Sequence, residues 1–129
     1  MNPLRPSLRV AQAFDVILVL VFVLIGRVSH KEDLSILGIL TTLWPFLVGL
    51  IVGHIVMRAW RAPFRIVWTG IGIWIATVVV GMLLRLVSAQ GAALSFVVVA
   101  TVVLGIFLLG WRAIALLVTR RRSPSRDQP

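Results

Sequence analysis

Apolar residues are grouped into four long blocks separated by short polar segments. The blocks cover about residues 10–26, 34–57, 64–86 and 94–118, and each approaches or exceeds the roughly 20 residues that a helix needs to cross the hydrocarbon core of a bilayer. Open sheet edges cannot be left unpaired in lipid, so all four spans are predicted to be helical. Short connections place consecutive helices antiparallel. The pattern predicts an all-α membrane protein, with one domain over residues 1–118 that forms an up-down-up-down bundle of four transmembrane helices.

The amino-acid composition fits a chain whose solvent is the lipid bilayer. Of the 129 residues, 60% are hydrophobic and 13% are charged, whereas about 25% of the residues in a soluble domain are charged. The mean hydropathy is +1.06. The chain has no cysteine, which excludes disulfides, thiolate metal sites and cysteine nucleophiles.

Basic residues are distributed unevenly between the two ends of the predicted bundle. The end that holds both chain termini carries Arg5, Arg9, Arg58, Arg61, Arg65, Arg112, Arg120, Arg121, Arg122 and Arg126. The opposite end carries only Arg27, Lys31 and Arg85. By the positive-inside rule, the protein is expected to lie in the plasma membrane with both termini in the cytoplasm.

The net charge of +9 would suggest a nucleic-acid partner in a soluble protein. Here the arginines lie between apolar blocks, where membrane orientation explains them, so no nucleic-acid partner is predicted. Residues 119–129 are basic and contain proline, which is typical of a disordered cytoplasmic tail. Such a tail is expected to attract anionic lipid headgroups.

Two residues of opposite charge are predicted to lie at the same depth in the membrane. Asp15 is about five residues inside the first block, and Arg112 is about six residues from the end of the fourth. An unpaired charge at that depth is costly, so an ion pair between helices one and four is expected. His54 lies at a similar level in helix two. Because histidine gains or loses a proton near physiological pH, these three residues form a candidate intramembrane polar cluster.

Glycines mark the expected helix-packing surfaces. Helix two carries the spacing Gly49-x-x-x-Gly53, and small residues one turn apart let two helix backbones approach closely. The sequence leaves open whether this surface joins helices of one chain or of two copies. Further packing glycines are expected in helices three and four, namely Gly70, Gly81 and Gly105.

Polar and aromatic residues near the ends of the spans have simpler expected roles. Arg85 is predicted to lie near the outer surface and to pair with Glu32 or Asp33. Trp60, Trp68 and Trp111 are expected to act as interfacial anchors. No serine lies mid-span facing a histidine, and no glycine-rich phosphate motif is present. We therefore expect no enzyme activity, no metal and no cofactor.

Several of these features resemble a family of small, mostly actinobacterial and archaeal, integral membrane proteins classified only as a domain of unknown function. They are Asp15, Gly26-Arg27, Leu43-Trp44-Pro45-Phe46 with Gly49 and Gly53, Trp68-Thr69-Gly70, and the segment from Gly105 to Arg112. The resemblance covers about residues 14–115. It implies a four-span membrane protein and supplies no activity, substrate or ligand.

The first-helix acid also invites comparison with small multidrug transporters, which are four-helix chains with such an acid. Asp15 lies too near the cytoplasmic end for that role, and the chain has no tyrosine for an aromatic binding cage. The favoured hypothesis is a non-enzymatic accessory or assembly component of a larger membrane complex. The alternative is a homo-oligomeric, proton- or ion-coupled transporter or channel for small solutes that uses Asp15, His54 and Arg112.

Overall fold

A computed structural model describes residues 4–32, 34–58, 61 and 66–122. These residues form four α-helices, with a π-helical turn over Ile66–Gly70 just before the third. The helices are α1 (Leu4–Ser29), α2 (Ile36–Val56), α3 (Ile71–Val87) and α4 (Leu94–Arg122).

In the described part of the chain, four helical segments are long and apolar enough to cross a membrane: Arg9–Ser29, Ile36–Val56, Ile66–Val87 and Leu94–Thr119. The prediction of an all-α membrane protein with four transmembrane helices is therefore confirmed. The π-helical turn at the start of the third segment was not predicted.

Two helices extend beyond the predicted spans. α1 begins at Leu4, and Pro6 is compatible with this start because N–H groups of the first turn have no partner within a helix. α4 continues to Arg122, so residues 119–122 are helical and not part of a disordered tail. Arginine is a good helix former, which lets the last turn propagate. The rest of the predicted tail, residues 123–129, lies outside the described residues.

Side-chain contacts fix the antiparallel arrangement. Asp15, early in α1, contacts His54, late in α2, and Arg112, late in α4. Arg27, late in α1, donates to Thr42, early in α2. We call the end with the Asp15 contacts the terminal end, because α1 begins and α4 ends there, and the opposite end the loop end.

The closest helix packing is between α2 and α3. A Cβ atom added at Gly49 would lie 2.8 Å from the backbone oxygen of Thr77, and one at Gly53 would lie 3.0 Å from the Cα of Ile73. Only glycine permits such an approach of two backbones. The Gly49-x-x-x-Gly53 surface is thus used within the chain.

Three phenylalanines from α1, α2 and α4 contact one another between the middle of the bundle and the loop end. The ring centroids of Phe22 and Phe46 are 5.3 Å apart, and Phe96 lies 6.2 Å from Phe46. This aromatic layer separates the polar groups of the terminal end from those of the loop end.

Candidate functional site

The charged residues predicted at one depth of the membrane are in direct contact. The guanidinium of Arg112 donates two parallel hydrogen bonds to Asp15, Nη1 to Oδ1 at 2.8 Å and Nη2 to Oδ2 at 2.7 Å. Both residues are 0% exposed. Nη1 also donates to the backbone oxygen of Leu108, one turn earlier in α4. This bond fixes the guanidinium in the orientation that a two-pronged ion pair requires.

Trp111 donates a further hydrogen bond to the Asp15 carboxylate. Its Nε1 donates to Asp15 Oδ1 at 2.8 Å, and its ring stacks on Phe14 with centroids 4.9 Å apart. The Arg112 guanidinium lies 4.7 Å from the Trp111 ring centroid. The expectation that Trp111 is only an interfacial anchor is therefore wrong, because its ring is buried and its N–H is used inside the bundle. The adjacency of Trp111 to Arg112 in the sequence was the signal that could have revealed this role.

His54 joins the cluster from α2. Its Nε2 lies 2.8 Å from Asp15 Oδ2, while its Nδ1 is buried and has no hydrogen-bond partner among the described residues. Asp15 is paired with arginine and accepts hydrogen bonds on both oxygens, so Nε2 must carry the hydrogen. Nδ1 is therefore the ring nitrogen that the cluster does not use.

The position of the cluster explains its high degree of internal pairing. Asp15 is six residues from the start of its span, a rise of about 9 Å at 1.5 Å per residue. At such depths an ionised side chain needs a partner, since water is not available to solvate it. Four donor contacts from two helices satisfy the two oxygens of Asp15, which fixes α1 to both α2 and α4.

The loop end holds a second, more open group of charges. Arg27 Nη1 lies 3.0 Å from Glu32 Oε2 and donates to Thr42 Oγ1 at 2.8 Å. The expected pair between Arg85 and Glu32 is not formed as a direct contact, since Glu32 bonds Arg27 and acts on the charge of Arg85 only from a greater distance. Asp33, the other expected partner, lies outside the described residues, as does Arg65.

The other predicted packing glycines also lie at helix contacts. Gly81 faces Phe46, where an added Cβ would come within 2.7 Å of the ring, and Gly105 faces Trp74 at 3.0 Å. Gly70 is buried at the end of the π-helical turn. Trp74 also donates from Nε1 to the backbone oxygen of Thr101 at 2.8 Å. Its ring thus fills space between α3 and α4.

One comparison with known proteins identifies a family. Residues 12–115 match the family described as "Protein of unknown function (DUF3054)". The chain belongs to this family. The match includes every residue of the charged cluster and of the α2–α3 glycine surface. No curated protein and no solved structure matches the chain.

Proposed function

We propose that this small integral membrane protein is a non-enzymatic accessory or assembly component of a larger membrane complex. The observation that carries the proposal is that the charged side chains of the Asp15 cluster pair with each other inside the chain. Asp15 and Arg112 are fully buried against each other, and His54 and Trp111 take the remaining positions on the carboxylate. A closed cluster of this kind supports a clamp that holds helices together, and it does not resemble an open polar passage.

A shallow groove on the outer surface supports the assembly role. It lies between α3 and α4, has a volume of about 680 Å³ and is almost entirely apolar. Its lining includes Gly105, Gly110 and Ala113, next to Trp74. Small residues allow a helix of another chain to approach closely within the membrane.

We further propose a plasma-membrane location with both termini in the cytoplasm. The excess of arginine at the terminal end supports this orientation. The basic residues after the fourth span are also suited to attract anionic lipid headgroups. Reporter fusions at each terminus test the orientation, and an extracellular signal from either one contradicts it.

Stoichiometric co-purification tests the assembly role. The protein is extracted in a mild detergent, and the mass of the intact assembly is measured. Gly110→Leu is expected to remove the bound partner while the bundle stays folded, because a Cβ at this position meets nothing within 4 Å inside the chain. Val99→Leu, on an exposed part of α4 outside the groove, is the matched control. Recovery of isolated monomers from the wild type contradicts the proposal.

A second candidate is a homo-oligomeric, proton- or ion-coupled transporter or channel. The buried Nδ1 of His54, which has no hydrogen-bond partner among the described residues, favours it, since histidine is a common proton carrier in proteins. Proteoliposomes that contain only this protein test the idea. Solute movement driven by a pH gradient, and lost in a folded Asp15→Asn variant, would support transport and overturn the accessory role.

A further inference from the structure

A cavity of about 500 Å³ opens at the loop end, on the far side of the aromatic layer from the Asp15 cluster. Its inner wall is apolar and includes Phe22, Val23 and Phe96. Its polar lining includes Arg27 and Arg85. The volume is within the range of about 300–1,000 Å³ that is typical of sites for small molecules.

The two arginines of the cavity differ in how their charge is balanced. Arg27 forms the ion pair with Glu32. Arg85 donates only to neutral oxygens: Nε to Gly91 O at 2.9 Å, and Nη1 and Nη2 to the side-chain and backbone oxygens of Gln90 at 3.3 and 3.4 Å. Within the described part of the chain, no carboxylate forms an ion pair with Arg85 within 4.0 Å, and Glu32 attracts its charge only from a greater distance. Arg27, Arg85 and Glu32 together therefore leave the cavity with a formal positive charge.

The Arg85 side chain is held in place before any ligand arrives. Its guanidinium lies 4.3 Å from the Phe96 ring centroid, and the neutral hydrogen bonds restrain its plane. These bonds use three of the five N–H groups of an arginine, which leaves one hydrogen on each terminal nitrogen. Two such donors match the two oxygens of a carboxylate or phosphate group. A side chain that is already ordered loses little entropy on binding.

The wall of the cavity is fixed by a hydrogen bond to α2 near Pro45. Pro45 has no N–H, so the backbone oxygen of Thr41, four residues earlier, lacks its helical donor. Gln90 supplies the missing bond from the α3–α4 connection, with Nε2 donating to Thr41 O at 3.1 Å. The residue that contacts Arg85 is thereby tied to α2, and the cavity is a defined part of the fold.

We propose that this cavity binds a small organic anion, in which a carboxylate or phosphate group contacts Arg85 and an attached apolar group packs against Phe22 and Phe96. The positive charge selects the anionic group, and the aromatic wall selects its apolar part. Such a molecule could be a free solute or an anionic lipid whose headgroup enters the cavity. The proposal does not depend on the accessory role.

Ligand-observed fluorine NMR with 4-fluorobenzoate tests the proposal on the full chain in nanodiscs of phosphatidylcholine. The Arg85→Gln variant is expected to weaken binding at least tenfold, because it removes the charge and both free donors. Arg85→Lys is expected to bind with intermediate affinity, since lysine keeps the charge and loses the two-pronged geometry. Lys31→Gln is the matched control, because it removes one positive charge from the same end without lining the cavity.

Additional ligands distinguish the two sources of the anion. Phenyl phosphate is expected to bind and inorganic phosphate to bind at least tenfold more weakly, because only the former offers an apolar group. If free anions do not bind but phosphatidylglycerol in the nanodisc raises the melting temperature of the wild type and not of Arg85→Gln, the ligand is a lipid headgroup. No response to either source overturns the proposal. Equal losses in Arg85→Gln and Lys31→Gln, or equal binding of both phosphates, overturn it as well.

Discussion

The two ends of the bundle use arginine in opposite ways. At the terminal end, Arg112 is fully buried and its guanidinium is matched by the two oxygens of Asp15. At the loop end, Arg85 lines a cavity and, among the described residues, donates hydrogen bonds only to neutral oxygens. A buried charge that is matched by direct contact within the chain contributes to the architecture, whereas one that no described carboxylate contacts directly keeps affinity for an external anion. The degree of internal pairing therefore separates a structural arginine from a candidate binding arginine.

The largest expected effect comes from removing the carboxylate at the terminal end. Asp15→Asn leaves the Arg112 charge buried without a counter-charge, which is expected to destabilise the fold by about 3–5 kcal/mol. The measurement is reversible unfolding in mixed micelles. The double variant Asp15→Asn with Arg112→Met is expected to recover much of this loss, because the uncompensated charge is gone. A single variant as stable as the wild type would contradict the clamp.

The next largest effect measures the contribution of His54 to stability separately from that of the Asp15–Arg112 ion pair. His54→Leu removes one donor from the Asp15 carboxylate, and hydrogen bonds to charged groups are worth about 1.5–3 kcal/mol. His54→Gln is expected to lose less, since the amide can still donate to Oδ2. Both free energies of unfolding are measured as for Asp15→Asn. If the two variants lose equal stability, the hydrogen bond from Nε2 to Asp15 does not account for the contribution of His54.

The sequence was sufficient to predict the ion pair of the terminal end and insufficient to predict the cavity of the loop end. The depths of Asp15 and Arg112 follow from counting residues along helices, and the cost of a lone charge in lipid makes their pairing the expected solution. The cavity depends instead on which carbonyl Pro45 frees and on which distant side chain, Gln90, reaches it. Such a contact spans 49 residues of sequence and has no periodic pattern.

The sequence also could not show which arginine forms the ion pair with Glu32. Glu32 could have bonded either Arg27 or Arg85, and it bonds Arg27. Arg27 is on the final turn of α1 and Glu32 follows just beyond it, so the short connection favours the local pair. The inward orientation of Trp111 depends on its fit against Phe14, which is a property of the packed helices.

A smaller effect is expected where Pro45 interrupts the hydrogen bonds of α2. Gln90→Leu removes the donor to Thr41 O and is expected to reduce the free energy of unfolding by about 0.5–1.5 kcal/mol, the net worth of one hydrogen bond. In a Pro45→Ala background the same substitution is expected to have less effect, because alanine in place of the proline restores a backbone N–H to that oxygen. A double-mutant cycle measures this coupling. Additive losses in the two substitutions would mean that Gln90 does not replace the bond that proline removes.

The smallest stability effect, and the sharpest contrast with Asp15, is expected for the carboxylate of the loop end. Glu32 is half-exposed, at 49% of its side chain, and exposed ion pairs are worth about 0.2–1 kcal/mol. Glu32→Gln should therefore barely change unfolding, while it leaves Arg27 uncompensated beside the cavity and raises the affinity for 4-fluorobenzoate. The control is Glu32→Gln combined with Arg27→Gln, in which the gain in affinity should disappear. Strong destabilisation by Glu32→Gln would mean that both ends are closed clamps, and the contrast between them would be lost.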